Sequence, residues 1–110
     1  TSQVRQFDCI ILGIGDDGHT SSIFPGQEHL LSASQPYMPS VHPTTGVKRV
    51  AMTGKLMMHA KQTIFMITGS GKSNIINRII NDGLDCPSSR VMQQADAPEL
   101  IGDNAALKNI

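Results

Sequence analysis

The first hydrophobic pattern in the chain is a compact run at residues 7–12, where Phe7, Cys9, Ile10, Ile11 and Leu12 precede Gly13. A short, β-branched run bounded by glycine predicts a buried strand. Because it is apolar on both faces, it predicts a strand covered by helices on both sides of a sheet. A glycine-punctuated turn follows, and GHTSSIF leaves room only for a short helix before Pro25 and Gly26 stop it. Residues 27–48 hold three prolines among scattered polar positions and read as a long loop, with a helical turn near 28–32. RVAMT at 49–53 reads as a short strand, and KLMMHAK at 55–61 as a short helix with Leu56, Met57 and Ala60 inward. TIFMIT at 63–68 is the second clear strand. Gly69, Ser70 and Gly71 then turn the chain into a helix over 72–81, with Ile75, Ile76, Ile79 and Ile80 at helical spacing and Gly83 as its C-cap. Residues 89–93 read as a last strand, and 103–108 as a terminal helix capped by Asp103. This alternation of strand and helix predicts an α/β fold built on a mostly parallel sheet.

Composition narrows the class. One hundred and ten residues suit a single domain. Nine basic residues balance nine acidic ones, so no net field draws nucleic acid or an anionic membrane. No apolar run approaches the roughly 20 residues of a membrane span. Cys9 and Cys86 show neither metal spacing nor a disulfide framework; they read as a buried strand thiol and a free loop thiol in a reducing, cytoplasmic setting. The six methionines, Met57, Met58 and Met66 among them, read as core fill. The strand at 7–12 starts almost at the first residue, which suggests that part of a larger domain precedes it. A sheet left partly uncovered in this way invites self-association or pairing with the missing half.

Candidate chemistry concentrates on the turn after the first strand. Gly13, Gly15 and Gly18 spell G-x-G-x-x-G, the dinucleotide fingerprint. Two carboxylates stand where a pyrophosphate would lie, Pro25 cuts the next helix short, and no strand ends in an acidic residue about 20 positions on, so a dinucleotide is disfavoured. Asp17 and His19 are the most specific pair. An imidazole titrates near neutrality and can take a proton from water, and a nearby carboxylate can fix its tautomer. The plainer reading makes Asp16 or Asp17 an N-cap and His19 an ordinary first-turn residue. Gly69-Ser70-Gly71-Lys72-Ser73 ends like a P-loop, but Met66 replaces the first glycine. A glycine turn, helix N–H groups and a lysine still suit a single phosphate; an ordinary strand-to-helix turn is the equal alternative. His29, His42 and His59 lack ligand spacing, so neither a metal nor another cofactor is expected. No G-x-S-x-G is present and Cys9 lies in mid-strand, which disfavours a covalent hydrolase.

LGIGDDGHTSSIFPG at 12–26 resembles the signature of the 6-phosphogluconolactonases, which share a superfamily with glucosamine-6-phosphate deaminases. RVAMT at 49–53, FMITGSGKS at 65–73 and PSSRV at 87–91 extend the resemblance. It implies a doubly wound, Rossmann-like fold of which residues 1–110 form the C-terminal half. It also implies hydrolysis of 6-phosphoglucono-δ-lactone in the pentose phosphate pathway, with a sugar phosphate as the small-molecule partner. In this resemblance His19 matches the general base, Asp17 its supporting carboxylate and Lys72 a phosphate contact, while Arg49 matches a family arginine of unassigned role. Gly13, Gly15, Asp16 and Gly18 form the substrate-facing turn, whose backbone N–H groups are expected to hold the oxyanion. The deaminases carry a glutamate where this chain has Phe24, which favours the lactonase branch. The alternatives are a deaminase-type enzyme, a non-catalytic sugar-phosphate sensor, or a structural half-domain.

Overall fold

The computed structural model describes residues 6–108. The strand at the start of the chain forms as β1, Cys9–Leu12, and the second as β4, Gln62–Ile67. They pair in parallel, Leu12 opposite Phe65, and β4 pairs in parallel with β5, Pro98–Gly102, to give the order β1-β4-β5. β5 falls in a stretch for which the sequence predicted no element. Its sequence, PELIG, is short and opens with proline and glutamate, so it lacks a strand pattern; Pro98 is tolerated as the first residue of an edge strand.

The long loop predicted over 27–48 is only partly a loop. Glu28–Ser32 makes the expected helical turn, but Tyr37–Val41 forms β2 and pairs antiparallel with β3, Lys48–Met52. Three prolines hid this strand, and Pro39 fits because the two-stranded ribbon leaves β2 an edge. The strand expected at 89–93 is instead helix α3, Pro87–Gln94. Pro87 occupies the first turn, where its missing N–H costs nothing. The Cys86 N–H donates to the Ser89 hydroxyl at 2.9 Å, and Ser89 returns a bond to the Cys86 carbonyl. The terminal helix expected at 103–108 stops at turns, although Asp103 does cap, accepting the Ala106 N–H at 2.8 Å.

Helix α2 (Ser73–Ile80) forms where expected, after a tighter turn at Ser70–Lys72, whereas α1 (Gly54–Met57) begins near its expected start but ends well short of residue 61. Ile75, Ile76 and Ile79 of α2, Leu56 and Met57 of α1 and Val91 of α3 share one core with Ile10, Leu12, Phe65 and Ile67 of the sheet. Phe65 is fully buried at its centre, worth about 1.5–3 kcal/mol in transfer alone. The opposite sheet face carries Cys9, Ile11, Met66 and Ile101, all exposed, Ile11 at 61%. Coverage on both sides of β1 is therefore not observed among the described residues, and Met66 is not core fill. The cysteine roles are also reversed. Cys9 faces outward on the open side, whereas Cys86 is buried at the start of α3. No helix among the described residues is long and apolar enough to cross a membrane.

Candidate active site

Parallel pairing puts the carboxyl ends of β1 and β4 side by side, so the turns following both strands meet at one edge of the sheet. Between them lies a cavity of about 420 Å³, walled by the stretch from Ile11 to Gly15 and by His19, Thr20, Ser21 and Lys72. Lys72 is the cation among its lining residues.

The turn after β1 is not followed by the expected short helix. The Ile23 N–H bonds back to the Thr20 carbonyl at 3.0 Å, Ser21 adopts a positive φ of 57°, and Thr20 and Ile23 form a lone bridge. So few residues separate Gly18 from Pro25 that a helix here would not repay its nucleation. Hydroxyls hold the loop instead. Thr20 donates to the Gly13 carbonyl at 2.9 Å, and Ser21 Oγ accepts the Met52 N–H at 2.9 Å, tying the loop to β3.

Two glycines are required where they stand. A Cβ on Gly15 would lie 2.1 Å from Cε1 and Nδ1 of His19, so the bare backbone is what admits the imidazole. Gly18 has φ +91°, and a Cβ there would meet Cys86 Cβ at 2.7 Å, so the start of α3 packs directly on the turn. Gly13 has open space around its missing side chain and no such requirement.

His19 and Asp17 meet closely. His19 Nδ1 lies 2.6 Å from Asp17 Oδ1, and the same oxygen accepts the His19 backbone N–H at 3.0 Å. Partial burial opposes the Asp17 charge, but the His19 N–H, then its ring hydrogen bond and charge, outweigh it and hold the carboxyl below its ordinary 3.8. An ionised carboxylate only accepts, so Nδ1 carries a proton, and in the neutral ring Nε2 is the nitrogen with the lone pair. Asp17 is thus a partner of the imidazole and not a helix cap. Phe24, only 2% exposed, backs the ring at 4.6 Å between centroids and is met edge-on by His42 at 4.9 Å.

Lys72 reaches across from the β4 side, its Nζ 3.2 Å from Asp16 Oδ1. The Gly69 N–H is not free for an anion, since it donates to the Asp103 carboxylate at 3.1–3.2 Å. The glycine turn likewise lacks the oxyanion donors expected of Gly15 and Gly18. The Gly15 N–H bonds to the His19 carbonyl at 2.8 Å, and the Gly18 N–H to the Gly15 carbonyl at 2.9 Å. Arg49, opposite Ser40 on the ribbon, is exposed and does not line the cavity. The sequence thus singled out His19, Asp17, Asp16 and Lys72, but assigned no role to Thr20, Ser21 or the start of α3. Those contacts are hydroxyl-to-backbone bonds that no periodicity reports.

The family model for glucosamine-6-phosphate isomerases/6-phosphogluconolactonase matches residues 1–100. The chain belongs to that family. It is 35% identical over 105 residues to the 6-phosphogluconolactonase of Aggregatibacter actinomycetemcomitans, covering 93% of this chain and 45% of that protein. With the rat 6-phosphogluconolactonase it shares 39% over 107 residues, 96% of this chain and 42% of the other. The solved 6-phosphogluconolactonase of Trypanosoma brucei superposes with a TM-score of 0.81 at 28% identity, over 97% of this chain and 43% of that one. The chain thus spans less than half the length of these relatives, and its mixed α/β architecture with a parallel sheet is theirs.

Proposed function

We propose that this chain carries the base and phosphate-binding elements of a 6-phosphogluconolactonase, forming one half of a larger lactonase domain. The reaction is hydrolysis of 6-phosphoglucono-δ-lactone to 6-phosphogluconate, a step of the pentose phosphate pathway in the cytoplasm. His19 Nε2 takes a proton from water as its oxygen attacks the lactone carbonyl. The ring C–O bond then breaks, and the imidazolium returns the proton to the leaving ring oxygen, giving the hydroxy acid. Asp17 holds the tautomer and stabilises the imidazolium. Lys72 meets the phosphate, exchanging Asp16 for a dianion, while Asp16 and the Gly13–Gly15 backbone bound the sugar. Arg49, off the cavity wall, contributes to substrate binding only if the ribbon approaches.

The 2.6 Å contact between Asp17 and His19, which lines the cavity, carries this reading, because it orients the imidazole and leaves Nε2 as the nitrogen to act as base. The deaminase reading is weaker. The place just before Pro25 holds the buried Phe24 ring, which neither accepts nor relays a proton. Incubation of the protein with 6-phosphoglucono-δ-lactone and, separately, with glucosamine 6-phosphate tests the choice. Acid release from the lactone and no ammonia from the amino sugar are expected; ammonia release dependent on His19 would overturn the assignment.

A further inference from the structure

The PSSRV segment stands far from the base in sequence, yet the structure brings its first serine onto the site loop. Ser88 is fully buried in the first turn of α3. Its hydroxyl donates to the Gly18 carbonyl at 2.7 Å and also lies 3.2 Å from the His19 carbonyl, and its own N–H reaches the Gly18 carbonyl at 3.0 Å. The Gly18 carbonyl and the His19 N–H are two ends of one peptide plane. Ser88 grips the first end. The second end donates to Asp17 Oδ1, the oxygen that also meets His19 Nδ1.

We propose that Ser88 is a positioning residue for His19, its hydroxyl fixing the Gly18–His19 peptide whose N–H sets the carboxylate that orients the imidazole. The inference rests on His19 as the base. Hydrogen bonds to a peptide carbonyl polarise that peptide and strengthen donation from its N–H, so the clamp acts on Asp17 through bond strength as well as angle. The packing of Cys86 against Gly18 leaves little slack between α3 and the turn.

Removal of the hydroxyl does not orphan either carbonyl. The Gly18 oxygen keeps the Ser88 N–H, and the His19 oxygen keeps the Gly15 N–H at 2.8 Å. Ser88→Ala should therefore fold and lose orientation rather than stability. Ser89 supplies the control, since its hydroxyl closes the helix cap on Cys86 and makes no bond to the loop.

The test combines steady-state lactone hydrolysis with proton NMR of the low-field Nδ1–H resonance expected of the short His19–Asp17 bond. Ser88→Ala should lower kcat by roughly 10–100-fold with KM nearly unchanged, and broaden or abolish the resonance. Ser89→Ala should keep both while unfolding at a lower temperature. Ser88→Cys, of similar size and a weaker donor, should fall between Ser88→Ala and wild type, and decides the matter if the alanine variant does not fold. A wild-type resonance and kcat in Ser88→Ala, or equal losses in Ser89→Ala, would overturn the proposal. The resonance needs no substrate. Its loss in Ser88→Ala beside a wild-type protein that fails to open the lactone would uphold the clamp and sink the proposed reaction instead.

Discussion

Gly15→Ala is the smallest change that attacks the site through geometry alone. The new methyl would stand 2.1 Å from Cε1 and Nδ1 of His19, whereas ordinary carbon contacts begin near 3.4 Å. The ring must retreat by roughly 1.3 Å, the difference between those distances. Phe24 lies against the ring at 4.6 Å, so it swings off Asp17 instead of sliding along it. Misplacement by about 1 Å can cost 10²-fold in rate, and outright loss of base catalysis about 10²–10⁴-fold. Because the obstructing atoms belong to a partly exposed side chain, folding should change little. The assay is the initial rate of acid release from the phosphorylated lactone, corrected for spontaneous opening, with thermal unfolding as control. A fall in kcat of at least about 10² with a nearly unchanged melting temperature is expected. Wild-type kcat in Gly15→Ala would refute the claim that the imidazole works from its place over the turn.

Three further outcomes follow from other parts of the structure. Lys72→Ala should weaken use of the phosphorylated lactone by roughly 1.5–3 kcal/mol, about 10–150-fold in kcat/KM, and spare the unphosphorylated lactone; equal losses on both would place Lys72 outside the phosphate site. The Asp17 carboxyl is held below its ordinary 3.8, so its stabilising contribution is present above that value and is lost as pH falls through the lower folded value. Asp17→Asn should therefore flatten the decline of stability below about pH 4, and an unchanged acid limb in urea titrations would contradict this. Ile11, Met66 and Ile101 form an exposed apolar sheet face. The chain alone should self-associate, and Ile11→Ser with Met66→Ser should reduce it; light scattering showing a monomer at all concentrations for the unmodified chain would count against this.

The elements visible in the sequence were those whose pattern is local. β1, β4 and α2 carry dense apolar runs or a helical stripe of isoleucines, and each formed within a residue or two of expectation. β5 and α3 were missed because neither is strongly patterned. β5 is held by parallel pairing to β4, and α3 by Pro87 and the reciprocal Cys86–Ser89 cap, with Val91 as its fully buried anchor. β3 formed within a residue of the strand expected at 49–53, but its partner β2 was concealed by Pro36, Pro39 and Pro43, which read as loop until an antiparallel partner is supplied. Within the site, Asp17 and His19 were legible because they lie two positions apart on one turn. The Asp16–Lys72 contact was not, since it depends on β1 and β4 being neighbours. Nor was the occupation of the Gly15, Gly18 and Gly69 N–H groups, because a free donor and a satisfied one look alike in a string of glycines.

The proposed reaction needs His19 as its base, and the most direct measurement is the rate of 6-phosphoglucono-δ-lactone hydrolysis by His19→Ala beside the unmodified protein, with spontaneous opening subtracted. A drop in kcat of roughly 10²–10⁴ with KM little changed is the predicted result. Enzyme-dependent hydrolysis that survives at the unmodified rate would contradict it, since the other carboxylate-paired group on the cavity wall, Lys72 beside Asp16, is assigned to the phosphate and not to the proton.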